Sequence, residues 1–111
     1  AVDGTVLRAL RYIEDQYATA SLEAFARAEN RPAAEVSRAV HRETGSTFKE
    51  LLQRRRFAQA ASLLQTTSLS AADVAYAVGY SNTSYFHRRF RELYGMSPRE
   101  YRQTARAGAH K

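Results

Sequence analysis

Apolar residues recur at intervals of three and four through most of this chain. Val6, Leu10, Ile13 and Tyr17 fall on one face of a helix predicted over 2–17. Ser21 can cap a second helix, 22–29, with Leu22, Phe25 and Ala26 inward. Asn30 ends it, because asparagine tolerates the left-handed turn conformation better than most residues. Pro32 suits the first turn of a third helix, which carries Val36, Ala39 and Val40 inward and stops at Thr44-Gly45. Ser46 starts a longer helix, 47 to about 65, in which Phe48, Leu51, Leu52, Ala58, Ala61 and Leu64 repeat at helical intervals. At 1.5 Å per residue it makes a rod of roughly 25 Å.

Residues 66–69 form a polar break. Ser70-Ala71-Ala72-Asp73 then reads as a capping box in its acidic form, opening a fifth helix, 71–78, that ends at Gly79. Ser81 or Asn82 caps a sixth, which runs to about Tyr94, where Phe86, Phe90 and Leu93 cluster within about 60° as its core stripe. Gly95 terminates it. Ser97-Pro98-Arg99-Glu100 supplies a cap, a proline at the first helical position and an acid at the third, so a short seventh helix follows. No segment alternates with a period of two. The pattern predicts an all-α fold of seven helices: a first helix-turn-helix subdomain over 1–45, a linker helix over 46–65, a second helix-turn-helix subdomain over 66–105, and a flexible tail over 106–111.

Two parts of the chain match. Ser21, Phe25, Ala26 and Asn30 correspond to Ser70, Val74, Ala75 and Gly79 at an offset of 49. Past the turn, Val36, Arg38, Val40 and Gly45 correspond to Phe86, Arg88, Phe90 and Gly95 at an offset of 50. Cap, inward apolar residue, small residue, turn, apolar residue, arginine, apolar residue and glycine follow in the same order. Such self-similarity points to a duplicated helix pair.

Composition sharpens this picture. The chain has 111 residues and a net charge of +6, and the positive charge gathers late: residues 18–45 are neutral, whereas 46–65 carry +3. A basic excess suggests a polyanionic partner. Cysteine is absent, which excludes disulfides and thiolate metal sites and suits a reducing cytoplasm. His41, His87 and His110 lack short ligand spacing, no nucleophile–base motif is present, and no apolar run approaches 18 residues. These features argue against a metalloprotein, an enzyme and a membrane protein, and call for no cofactor.

Stepping the sixth helix by 100° per residue sets Arg88 opposite the core stripe, flanked by Ser84 and Arg91. The third helix sets Arg38 opposite Val36 and Val40, flanked by Ala34 and Arg42. An arginine so placed can donate two hydrogen bonds to guanine O6 and N7 in a major groove, worth about 1–3 kcal/mol of discrimination. Ser37, Thr83 and Ser84 can make shorter contacts; His41 and His87 lie at the edge of the outward face. Arg42, Arg89 and Arg91 suit phosphates, with His41 and Asn82 as further backbone contacts. Arg54, Arg55 and Arg56 point in different directions on a helix, so at most one or two can face DNA and the others are expected to form ion pairs.

The second half, with A-x-x-V-G-Y at Ala75 to Tyr80, S-Y-F-x-R-x-F at Ser84 to Phe90 and G-x-S-P-x-x-Y-R at Gly95 to Arg102, resembles the AraC/XylS family of bacterial transcription regulators. The first half is similar to the family's earlier motif through S-L-x-x-x-A at Ser21 to Ala26, Ser37-Arg38 and Glu43-Thr44-Gly45. The resemblance implies two helix-turn-helix units joined by a long helix, bound to two adjacent major-groove segments of promoter DNA. Its base-reading positions fall at Ala34, Ser37 and Arg38, and at Thr83, Ser84, His87 and Arg88. The first unit departs from the pattern at Asn30, Arg31, Glu35 and Val40, and Ala34 offers only a methyl group.

Tandem units in one chain predict a non-palindromic site with two contact patches about one turn, roughly 34 Å, apart. Expected partners are double-stranded promoter DNA, RNA polymerase, and a sensing or dimerising domain amino-terminal to these residues, the chain then being the carboxy-terminal part of a longer cytoplasmic regulator. Two rival readings are a basic protein that binds any nucleic acid through its charge, and a helical protein-interaction module using Tyr12, Tyr17 and Tyr94.

Overall fold

The computed structural model describes residues 4–109, and these hold seven helices and no strand. In chain order they are α1 (Gly4–Gln16), α2 (Leu22–Ala28), α3 (Ala33–Thr44), α4 (Phe48–Thr66), α5 (Ala71–Ala77), α6 (Thr83–Tyr94) and α7 (Pro98–Ala109). This is the all-α class that the apolar spacing predicts. α7 is longer than expected and takes residues 106–109 into helix; residues 110 and 111 of the expected tail lie outside the described residues.

The chain divides into two compact units, Ala1–Arg55 and Arg56–Lys111, with the boundary inside α4. In the first, Val6 and Ala9 of α1, Phe25 and Ala26 of α2, and Val36, Ala39 and Val40 of α3 form one buried cluster, with Leu51 packed against it. In the second, Phe57, Ala60 and Leu64 of α4, Val74 and Ala75 of α5, Phe86 and Phe90 of α6, and Pro98 are buried.

The repeat is wider than the sequence suggests. α2 and α5 match end to end at an offset of 49, and α3 and α6 at 50. The starts of α4 and α7 also match at 50. Each carries a reciprocal capping box: Thr47 Oγ1 accepts from Glu50 N while Glu50 accepts from Thr47 N, and Ser97 and Glu100 do the same. The later part of α4 repeats α1 at an offset of 51, with Val6, Ala9 and Ile13 answering to Phe57, Ala60 and Leu64, all buried. α4 thus closes one repeat and opens the next. Its apolar residues change face to suit: at 100° per residue, Phe48, Leu51 and Leu52 lie on one side and Phe57, Ala60, Ala61 and Leu64 centre on the other. Of the six apolar residues expected to repeat along it, Ala58 is exposed.

Local chemistry fixes the turns. Ser21 and Ser70 accept from Ala24 N and Asp73 N at the starts of α2 and α5. Asn30 adopts φ 55°, and its counterpart Gly79 has φ 106°. The amides of Arg31 and Tyr80 then bond back to Ala26 O and Ala75 O at 3.0 and 2.9 Å. Three details differ from expectation. Thr47, rather than Ser46, caps α4, and the buried Ser46 accepts from Arg54 at 3.0 Å. Pro32 precedes α3 as an extended residue and offers no side-chain cap. Of the two residues that could cap α6, Asn82 does so. Leu93 is 47% exposed, because Tyr94 takes the core place at that end of α6, stacking on Phe90 at 4.4 Å.

Candidate nucleic-acid interface

Each unit presents one helix after a tight turn, with its apolar stripe inward and a polar face outward. On α6 the inward residues Phe86 and Phe90 are fully buried, and Ser84, His87, Arg88 and Arg91 are exposed. On α3, Val36, Ala39 and Val40 are buried, and Ala34, Arg38, His41 and Arg42 are exposed. Ser37 and Thr83 are half-buried. Arg38 and Arg88 stand at matched positions of matched helices, each opposite its own core.

The first turn of α6 is held by its cap, since Asn82 Oδ1 accepts from Tyr85 N at 3.0 Å. That oxygen is committed, which leaves the Asn82 amide NH2 as the group free to meet a phosphate. His87 Nδ1 lies 2.7 Å from Thr83 O. A carbonyl only accepts, so Nδ1 donates in this contact. Arg89 pairs with Glu92 at 2.9 Å, so it is the least available of the residues assigned to phosphates.

Each arginine of the 54–56 run has a partner within the protein. Arg54 donates to Ser46 Oγ; Arg55 pairs with Glu14 at 3.2 Å and lies over the Tyr17 ring at 4.5 Å; Arg56 lies over the Tyr80 ring at 5.1 Å. The three tyrosines of the protein-interaction reading are likewise occupied. Tyr12 packs on Phe25 at 5.3 Å and its hydroxyl accepts from Ser21 N, Tyr17 carries Arg55, and Tyr94 donates to Phe57 O.

The two units differ beside their arginines. In the first, Arg31 donates to Glu35 through Nε at 3.1 Å and to Thr5 Oγ1 at 2.8 Å. Glu35 is therefore paired with an arginine of the turn that precedes its helix. In the second, Tyr80 and Tyr85 hold the equivalent places with ring centroids 5.7 Å apart. Arg88 lies over Tyr85 at 5.5 Å, and Tyr80 packs on Phe57 at 5.2 Å. The Tyr80 hydroxyl is buried with no hydrogen bond of normal geometry. Burial raises its pKa, and nearby Arg56 offsets part of that rise. Sequence reasoning missed this aromatic series, although Tyr85 and Arg88 stand at i and i+3 on one helix, the spacing at which side chains meet.

A family described as a helix-turn-helix domain matches residues 25–104. The C-terminal domain of AraT, a response regulator from Geobacillus stearothermophilus, superposes with a TM-score of 0.86 and 34% identity, covering 93% of this chain and 87% of that one. The chain belongs to the AraC family of DNA-binding transcription regulators. The DNA-binding domain of AdpA, a global transcriptional factor, solved in complex with a target DNA, has a TM-score of 0.83 and 25% identity, covering 95% of this chain and 96% of that one. The transcriptional activator RhaR of Mannheimia succiniciproducens is 39% identical over 67 residues, which span 60% of this chain and 24% of RhaR. The chain thus covers about a quarter of the length of such AraC-family relatives. No helix among the described residues is long and apolar enough to cross a membrane.

Proposed function

We propose that this chain is the DNA-reading part of a bacterial transcription regulator, and that α3 and α6 enter adjacent major-groove segments of one non-palindromic promoter site. Arg38 and Arg88 read guanine through paired hydrogen bonds. Ser37, Thr83, Ser84 and His87 add shorter polar contacts, and Ala34 touches a thymine methyl. Arg42, His41, Asn82 and Arg91 hold the phosphate backbone, with Arg89 joining them if its pairing to Glu92 opens. The observation that carries this reading is the placement of two exposed arginines at matched positions of a duplicated helix pair, each directly opposite a buried stripe. On this reading the protein works in the cytoplasm beside the chromosome, contacts RNA polymerase, and receives its signal from a domain amino-terminal to these residues.

Selection of bound duplexes from a random pool tests it. A consensus with two short patches, each holding a required G·C pair, is the expected result. A pool that stays random through successive rounds supports charge-driven binding instead.

A further inference from the structure

We propose that Tyr85 is a positioning residue that sets base discrimination in the second unit: its ring holds the Arg88 guanidinium, and Tyr80 braces that ring from behind. The proposal rests on the reading of Arg88 as a base contact. The guanidinium carbon lies 5.5 Å from the Tyr85 centroid, within the distance at which a ring's negative face attracts a cation. Tyr85 is in turn 5.7 Å from Tyr80, and Tyr80 is 5.2 Å from the fully buried Phe57. Arg56 lies over Tyr80. A flexible surface side chain is thus tied through two rings to the core of its own unit.

The consequence is energetic. An arginine loses rotamer freedom when it docks on a base, and that loss is smaller where a neighbour already restricts it. The ring holds the guanidinium carbon on one side, and the N–H groups that would meet guanine remain able to donate. The first unit has no such shelf. Glu35 occupies the place of Tyr85 and is engaged by Arg31, so nothing aromatic stands at i−3 to Arg38. The second unit is therefore the sharper reader, and the difference between the units lies beside the reading arginine rather than at it.

The test uses the 111-residue chain and a duplex that it selects from a random pool, with variants changed at the G·C pair assigned to Arg88. The readout is the ratio of Kd for variant to selected duplex, measured across a salt series. Tyr85→Leu lowers that ratio about two- to fivefold and leaves the salt slope unchanged; Tyr85→Phe preserves it. Progressively fluorinated phenylalanines at position 85 weaken the ring's negative face while keeping its shape, and they lower the ratio stepwise, which keeps the test valid if the leucine variant folds poorly. In an Arg88→Ala background, Tyr85→Leu changes the ratio no further. A flat fluorination series, or a Tyr85 effect that persists without Arg88, overturns the proposal while the Arg88 reading stands. A ratio unaffected by Arg88→Ala overturns both.

Discussion

Replacing Phe57 with alanine removes the ring on which the second unit's core is centred. Phe57 is 1% exposed and packs on Tyr80, Phe86 and Phe90, with centroids 5.2, 5.3 and 6.4 Å away. Losing a buried phenylalanine costs about 3–5 kcal/mol, since the transfer loss is joined by the cavity and by the ring contacts given up. A unit of 56 residues is stabilised by roughly 3–8 kcal/mol in total at ordinary per-residue values. The substitution therefore removes roughly a third or more of that stability. Val6 holds the equivalent place in the first unit with a smaller side chain; Val6→Ala deletes two methyl groups and costs about 2 kcal/mol. Urea unfolding followed by tyrosine fluorescence measures this, because the chain has no tryptophan and its seven tyrosines include 76, 80, 85, 94 and 101 in the second unit. A loss below about 1 kcal/mol for Phe57→Ala would mean that Phe57 is not the centre of that core.

Four further outcomes are expected. Tyr80→Phe is neutral or stabilises by up to about 1 kcal/mol, because the deleted hydroxyl is buried with no hydrogen bond of normal geometry, and a clear loss in thermal melting would show that its contact with Arg56 holds it. Gly45→Ala and Gly95→Ala each cost about 1–2 kcal/mol through backbone conformation alone, since φ is 78° and 74° and an added Cβ meets nothing within 4 Å; asparagine at either position should cost less. Glu50 and Glu100 hold pKa values below the ordinary 4.5 because they accept from Thr47 and Ser97 in the capping boxes. Their stabilisation is present above that value and is lost as pH falls through the lowered ones, so Glu50→Gln and Glu100→Gln flatten the acid limb of a melting-temperature profile. Arg42→Ala weakens every duplex alike and reduces the salt slope by about 1, whereas a selective loss on one sequence would make Arg42 a base contact.

The helices and their turns were legible because each is written locally. Asn30, Gly79, Gly45 and Gly95 sit where the backbone needs a positive φ, and serine or asparagine precedes α2, α5 and α6. The outward positions of Arg38 and Arg88 follow from helical stepping alone, since Val36 and Val40, or Phe86 and Phe90, fix the buried side. What stayed hidden depended on the fold. α4 reverses its apolar face part-way, so a search for one continuous stripe passes over Phe57 and Ala60 and admits Ala58. Leu93 fits its stripe by angle, but Tyr94 fills the space at that end of the helix. The arginine run at 54–56 reads as a charged patch until its partners Ser46, Glu14 and Tyr80 are known, and each of these is remote in sequence or outside the helix. Glu35 looks hostile to a phosphate until Arg31 is seen bonded to it.

The central claim is that matched arginines read sequence, and one measurement meets it most directly: the affinity of the chain, and of Arg88→Ala, for a selected duplex and for its scrambled counterpart across a salt series. The account predicts that the intact chain prefers the selected duplex by about a thousandfold or more. It predicts that Arg88→Ala loses about 1–3 kcal/mol of that preference while binding scrambled duplex almost as before. Equal affinities for both duplexes at every salt concentration, or an Arg88→Ala loss that is the same on both, would contradict it.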